Sequence, residues 1–142
     1  MKKIILLLIL FLSTFIAYSQ SSGGGVYVLE QAYNSDGNKI VYNGAPRKVM
    51  VNVVSYFTTT ASYSQYNDMV GMWDASSMIF EYAGPDNGWY IFRLHIPFYG
   101  ENWLYIYRDF SKIRVSMSFY EGNYIQYRKF VKGEDIYRNP TR

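Results

Sequence analysis

Ile113-Arg114-Val115-Ser116-Met117-Ser118-Phe119 is the stretch that decides how this chain folds. Its odd positions are all apolar and its even positions all polar. Strand side chains alternate between faces, so the pattern predicts one buried face and one wetted face. Each large side chain buried in this way contributes about 1.5–3 kcal/mol. A one-residue slip would turn the whole set into water, and that penalty holds the register.

The same rhythm extends outward from this stretch. Trp103 to Arg108 precedes it through Asp109-Phe110-Ser111-Lys112, and Tyr124 to Val131 follows it through Tyr120-Glu121-Gly122-Asn123. Connections this short force antiparallel neighbours, so the C-terminal half reads as a β-meander. Upstream, Met78 to Tyr82 and Trp89 to Ile96 flank Gly84-Pro85-Asp86-Asn87-Gly88, a turn by its chemistry. Val49 to Phe57 is a β-branched run, and Val26 to Tyr33 and Lys39 to Tyr42 flank an Asp36-Gly37 turn. The fold class is all-β and mainly antiparallel, with about eight strands in a small barrel or a curled sheet or sandwich. One segment departs from period two. Tyr63, Tyr66, Met69, Val70 and Trp73 fall at helical spacing, and Ser62 with Gln65 has the form of a capping box. A short helix over 62–73 is therefore expected, with a polar loop carrying aromatic anchors as the alternative.

The ends of the chain set its organisation. Met1-Lys2-Lys3 is followed by an apolar run from Ile4 to Ala17 and by small residues at Ala17 and Ser19. This layout resembles bacterial general-export signals, which implies cleavage after residue 19 and a secreted or periplasmic location. The run is shorter than the roughly 20 apolar residues of a spanning helix, so no membrane span is expected after cleavage. Residues 20–25 read as a flexible Ser/Gly leader, 26–131 as a single β domain and 132–142 as a C-terminal tail. Of the 14 basic residues, Lys2 and Lys3 leave with the signal, which leaves twelve scattered along the chain against 11 acids. That balance offers no basic face for nucleic acid.

Several chemistries are excluded or weakly supported. The chain has no cysteine, so disulfides, thiolate metal sites and a Cys nucleophile are absent. His95 is the sole imidazole, and no Gly-x-Ser-x-Gly elbow accompanies it. It reads as a partly buried, hydrogen-bonded strand residue, and a catalytic zinc site on one His is not expected. Asn34, Asp36 and Asn38 alternate beside Gly37, but only one of them is charged, so a hairpin turn is read there and not a calcium loop. Glu81, between Phe80 and Tyr82, is the one carboxylate that looks out of place. A hydrolase built on Glu81 and a second acid is the enzymatic alternative. No catalytic residue, metal ligand or cofactor is otherwise expected.

The aromatic surplus remains. Phe, Trp and Tyr make up 20% of the chain, with 16 Tyr, too many for every ring to be deeply buried. Trp103, Tyr105 and Tyr107 share one strand face and are the expected ligand-binding residues. The leading expectation is an exported, non-catalytic β domain that binds through exposed aromatics. Its partner would be a glycan, an apolar small molecule held in a barrel, or an envelope protein. A structural or assembly subunit of the envelope that pairs by sheet edges is the non-catalytic alternative.

Overall fold

The computed structural model describes residues 21–134. The strands among them are β1 (Ser21–Tyr33), β2 (Lys39–Ile40), β3 (Lys48–Ser55), β4 (Thr59–Asn67), β5 (Met72–Trp73), β6 (Met78–Asp86), β7 (Trp89–Ile96), β8 (Gly100–Tyr107), β9 (Lys112–Ser116) and β10 (Tyr124–Lys129). Eight of them follow one another in the order β10-β9-β8-β7-β6-β4-β3-β1, and β1 pairs back onto β10. The ring is a closed antiparallel barrel, and β2 and β5 are short additions to β1 and β4.

The period-two pattern becomes inside and outside. On β9, Ile113 and Val115 are buried, as is Met117 just beyond it, while Arg114 and Ser116 face outward. The strand stops at Ser116, three residues earlier than the alternation suggests. A single 3₁₀ turn over Ser118–Tyr120 takes over, burying Tyr120 and leaving Phe119 61% exposed. The β6–β7 connection is also tighter than the Gly84–Gly88 turn expected. Asn87 and Gly88 take φ of 51° and 86°, the two-residue hairpin geometry that Asn-Gly favours. Strand β6 runs on through Gly84 and Pro85 with an irregular register after Tyr82.

Three expectations are corrected. There is no helix over 62–73: Thr59–Asn67 is strand β4, paired with β3 and β6, and Tyr66 then pairs with Trp73 across a turn at Gly71. Ala61 and Tyr63 point into the core and Ser62 and Ser64 away from it, so period two holds here in small residues. Tyr66 and Trp73 meet edge to face at 5.3 Å because they face each other across this flap, with the Lys48 ammonium 3.8 Å from the Tyr66 ring centre. The 20–25 leader is likewise strand from Ser21 onward, with Gly24 opposite Asn52 and Gly25 opposite Val51. A side chain at Gly24 would place its first carbon 2.1 Å from the Val51 carbonyl oxygen, and φ there is +135°. Gly24 thus serves a close approach of two backbones. The start of the expected tail is also held, since Glu134 pairs with Arg128 and accepts the Val131 N–H at 2.6 Å. The expected signal at 1–19, like residues 20 and 135–142, lies outside the described residues.

The barrel interior is filled by rings as well as by aliphatic groups. Tyr27, Tyr63, Tyr120, Tyr127 and Phe80 are fully buried. Tyr27 donates its hydroxyl to the Phe110 carbonyl at 2.7 Å and Tyr127 to the Pro46 carbonyl at 2.8 Å. The Tyr63 and Tyr120 hydroxyls are buried without a hydrogen-bond partner of good geometry among the described residues. Burial pushes the Tyr27 phenol up to about 12, with the Asp109 charge adding to it. Burial also raises Tyr63, Tyr120 and Tyr127, and charge on neighbouring phenols reinforces the effect.

These phenols keep their protons in the folded chain at a pH where the unfolded chain, titrating near 10, loses them. Stability is therefore intact below about pH 10 and falls as pH rises through the raised values. In an alkaline titration, the phenolate absorbance of these buried tyrosines should appear together with loss of the β-sheet circular dichroism. Complete ionisation at ordinary values with the fold intact would contradict this packing. Gly24→Ala should destabilise the barrel by about 1–3 kcal/mol in urea unfolding, from steric conflict and a disfavoured φ. An unchanged midpoint would contradict the β1–β3 approach.

Candidate functional site

The outward faces of β7, β8, β9 and β10 form one continuous surface. Cross-strand register sets Trp89 beside Tyr107, Ile91 beside Tyr105 and Arg93 beside Trp103. The next step sets Tyr105 beside Arg114 and Trp103 beside Ser116. Arg114 then lies opposite Gln126, and Tyr124 lies opposite Tyr33 across the barrel seam. Neighbours at this spacing interact through their side chains, so aromatic and cationic groups from five strands meet on one face.

Arg114 is the centre of that face. Its guanidinium lies 4.8 Å from the Trp89 ring centre, 5.3 Å from Tyr124 and 5.9 Å from Tyr33. Tyr33 and Tyr124 are themselves stacked at 5.1 Å with planes 16° apart. Arg114 Nε donates to Gln126 Oε1 at 2.9 Å, and Gln126 Nε2 donates to Glu30 Oε2 at 2.6 Å. This relay crosses the seam between β10 and β1 and fixes the guanidinium plane. Only the Nε donor is used in the relay, so the terminal nitrogens can address a ligand.

Around Arg114 lies an open groove of about 330 Å³. Trp89, Ile91, Tyr105 and Tyr124 supply its apolar walls, and Asp86, Asn87, Arg114 and Ser116 supply donors and acceptors. The Tyr105 phenol is raised by burial first and by the Asp86 carboxylate second. Lys112 sits beyond, 4.7 Å from the Tyr107 ring centre and 5.6 Å from Trp89.

The three residues singled out in the sequence are placed together but play unequal parts. Trp103, Tyr105 and Tyr107 all face outward and are half-buried. Tyr105 lines the groove, Trp103 stacks on Tyr105 at 6.4 Å, and Tyr107 meets Trp89 edge to face at 5.1 Å. Trp89, Arg114 and Tyr124 were not singled out. Each lies on a strand whose facing was legible, but their convergence depends on strand order and register.

His95 and Glu81 lie away from the groove lining. His95 is exposed and not partly buried; its Nδ1 is 2.7 Å from Glu101, which also lies 3.6 Å from Arg93. Glu81 is exposed on β6, with Thr60 and Arg93 as its cross-strand neighbours. Among the described residues, no group of three His, Asp or Glu side chains is placed to hold a metal ion. No family model, curated protein or solved structure matches this chain significantly.

Arg114→Lys keeps the charge but loses the planar stack and the fixed Nε bond to Gln126. It should lower stability by about 1–2 kcal/mol in urea unfolding and alter Trp89 fluorescence. Wild-type stability and an unchanged emission spectrum would contradict the stacked geometry.

Proposed function

We propose that this chain is an exported, non-catalytic binding domain that holds a saccharide on its outer aromatic groove. The observation that carries the reading is the fixing of Arg114 between aromatic rings on the wall of an open groove. A sugar ring presents flat C–H faces and hydroxyls around its rim. Rings such as Trp89, Tyr105 and Tyr124 offer apolar faces to the former. The Arg114 terminal nitrogens, Asp86, Asn87 and Ser116 offer hydrogen-bonding groups to the latter. The groove carries both a cation and a carboxylate, which suits a polyhydroxylated ligand better than a purely hydrophobic one.

Other features favour binding over assembly or hydrolysis. A closed ring has no edge strand to lend to a partner, and the additions outside it, β2 and β5, are 2 residues each. Neither cross-strand neighbour of Glu81 is a carboxylate that could share acid–base work with it. Export rests on the Met1–Ser19 signal pattern.

Titration calorimetry against a panel of soluble oligosaccharides tests the reading. At least one should bind, and Trp89→Ala and Arg114→Ala should each weaken it tenfold or more, about 1.4 kcal/mol. Trp73→Ala, on the distant β4–β5 flap, should leave affinity unchanged. Absence of any saccharide binding, or equal loss in all three variants, would contradict the assignment.

A further inference from the structure

The two ends of the barrel are filled differently. At the end carrying Tyr120 and Met117, large side chains close the interior. At the opposite end the inward positions of β3 and β4 are small: Val53, Ser55, Thr59 and Ala61. Beside them, on the next two strands of the ring, are Tyr82 of β6 and Tyr90 and Phe92 of β7, with ring centres 5.3 to 6.4 Å apart. Small residues on two strands next to rings on the following two leave a bowl of about 320 Å³ at the barrel mouth.

Phe110 forms its lip. This residue holds φ of +62°, a conformation disfavoured for a bulky side chain. Its carbonyl accepts the Tyr27 hydroxyl at 2.7 Å, and its ring rests so near Gly23 that a methyl there would stand 2.9 Å from it. The same ring lies 6.3 Å from Tyr90. A strained turn is thus held by specific contacts, and it directs an apolar ring to the bowl. Next to the mouth, the tip between Ser55 and Thr59 carries Phe57, 80% exposed, in edge contact with Tyr56 at 4.2 Å.

We infer that this mouth is a second binding site, for a small uncharged apolar molecule carrying one polar group. The volume lies at the low end of the ~300–1,000 Å³ typical of small-molecule sites, which limits the ligand to two or three rings or a chain of comparable size. Among the described residues, no charged side chain lines the bowl, so an ionised headgroup would lose its hydration without a counter-charge. The Ser55 and Thr59 hydroxyls, 3.1 Å apart, and the phenols of Tyr82 and Tyr90 can meet one hydroxyl or carbonyl of the ligand. The site is on the inner face of β3, β4, β6 and β7, separate from the outer groove, and its chemistry does not depend on the saccharide reading.

The probe is the neutral dye N-phenyl-1-naphthylamine, added to the full folded domain. Its fluorescence should rise with saturation at one site, and 1-octanol should displace it at least tenfold more effectively than octanoate. The Val53 methyl resonances should shift on binding while those of Ile91, in the outer groove, stay in place. Thr59→Phe should reduce affinity tenfold or more. If that variant fails to fold, the Val53 and Ile91 shifts in the wild-type chain decide alone. No saturable binding, equal displacement by octanoate, or shifts at Ile91 without shifts at Val53 would overturn the inference.

Discussion

The structure depends on one strand doing two jobs. β1 pairs with β3 along Ser21 to Val28 and with β10 along Tyr27 to Tyr33. Tyr27 and Val28 pair on both sides at once, and the ladder to β10 carries an irregularity between Leu29 and Gln31. The first half of β1 lies so close to β3 that Gly24 has no room for a side chain. Without that closure the molecule would be an open curled sheet, with the outer edge of β10 unpaired and one apolar face uncovered.

Closure also explains why so many aromatics coexist in a small domain. Inward rings, among them Tyr27 and Tyr127, fill the cylinder and bury apolar area that an eight-stranded ring can just enclose. Among the described residues, outward rings such as Tyr33, Trp89 and Tyr124 pack on each other and on cations. Tyr33 stacks on Tyr124 only because β1 lies beside β10, and the Glu30–Gln126–Arg114 relay crosses the same seam. The groove is therefore a product of the ring and not of any single strand. The mouth has the same origin, since Phe110 rests on Gly23 of the closing strand.

How much of this was legible varies with the range of the interaction. The alternation from Ile113 to Met117 reports burial directly, because facing is a local property of a strand. The Trp89–Ile96 strand is bounded by turn chemistry on one side and was readable to the residue. Tyr63, Tyr66 and Trp73 misled because their spacing mimics a helix, while the true partners of Tyr66 and Trp73 are each other across a turn. The composition of Gly23-Gly24-Gly25 suggests looseness, and only the long-range approach to Val51 shows the steric reason for it. At the groove, the common facing of Trp103, Tyr105 and Tyr107 was visible in one strand. The roles of Trp89, Arg114 and Tyr124 were not, because strand order decides which residues become neighbours. The mouth was hidden for a similar reason: its emptiness depends on small residues of β3 and β4 lying beside rings of β6 and β7.

The most direct measurement is of the β1–β10 seam itself. In solution, nuclear Overhauser contacts should link the backbones of Ala32 with Ile125 and Val28 with Arg128, as the antiparallel register requires. The β10 amides directed toward β1 should also be protected from hydrogen exchange as strongly as those directed toward β9. Contacts from β10 to β9 alone, with its other side exchanging at the rate of an exposed edge, would mean an open sheet and would contradict the barrel, the groove and the mouth together.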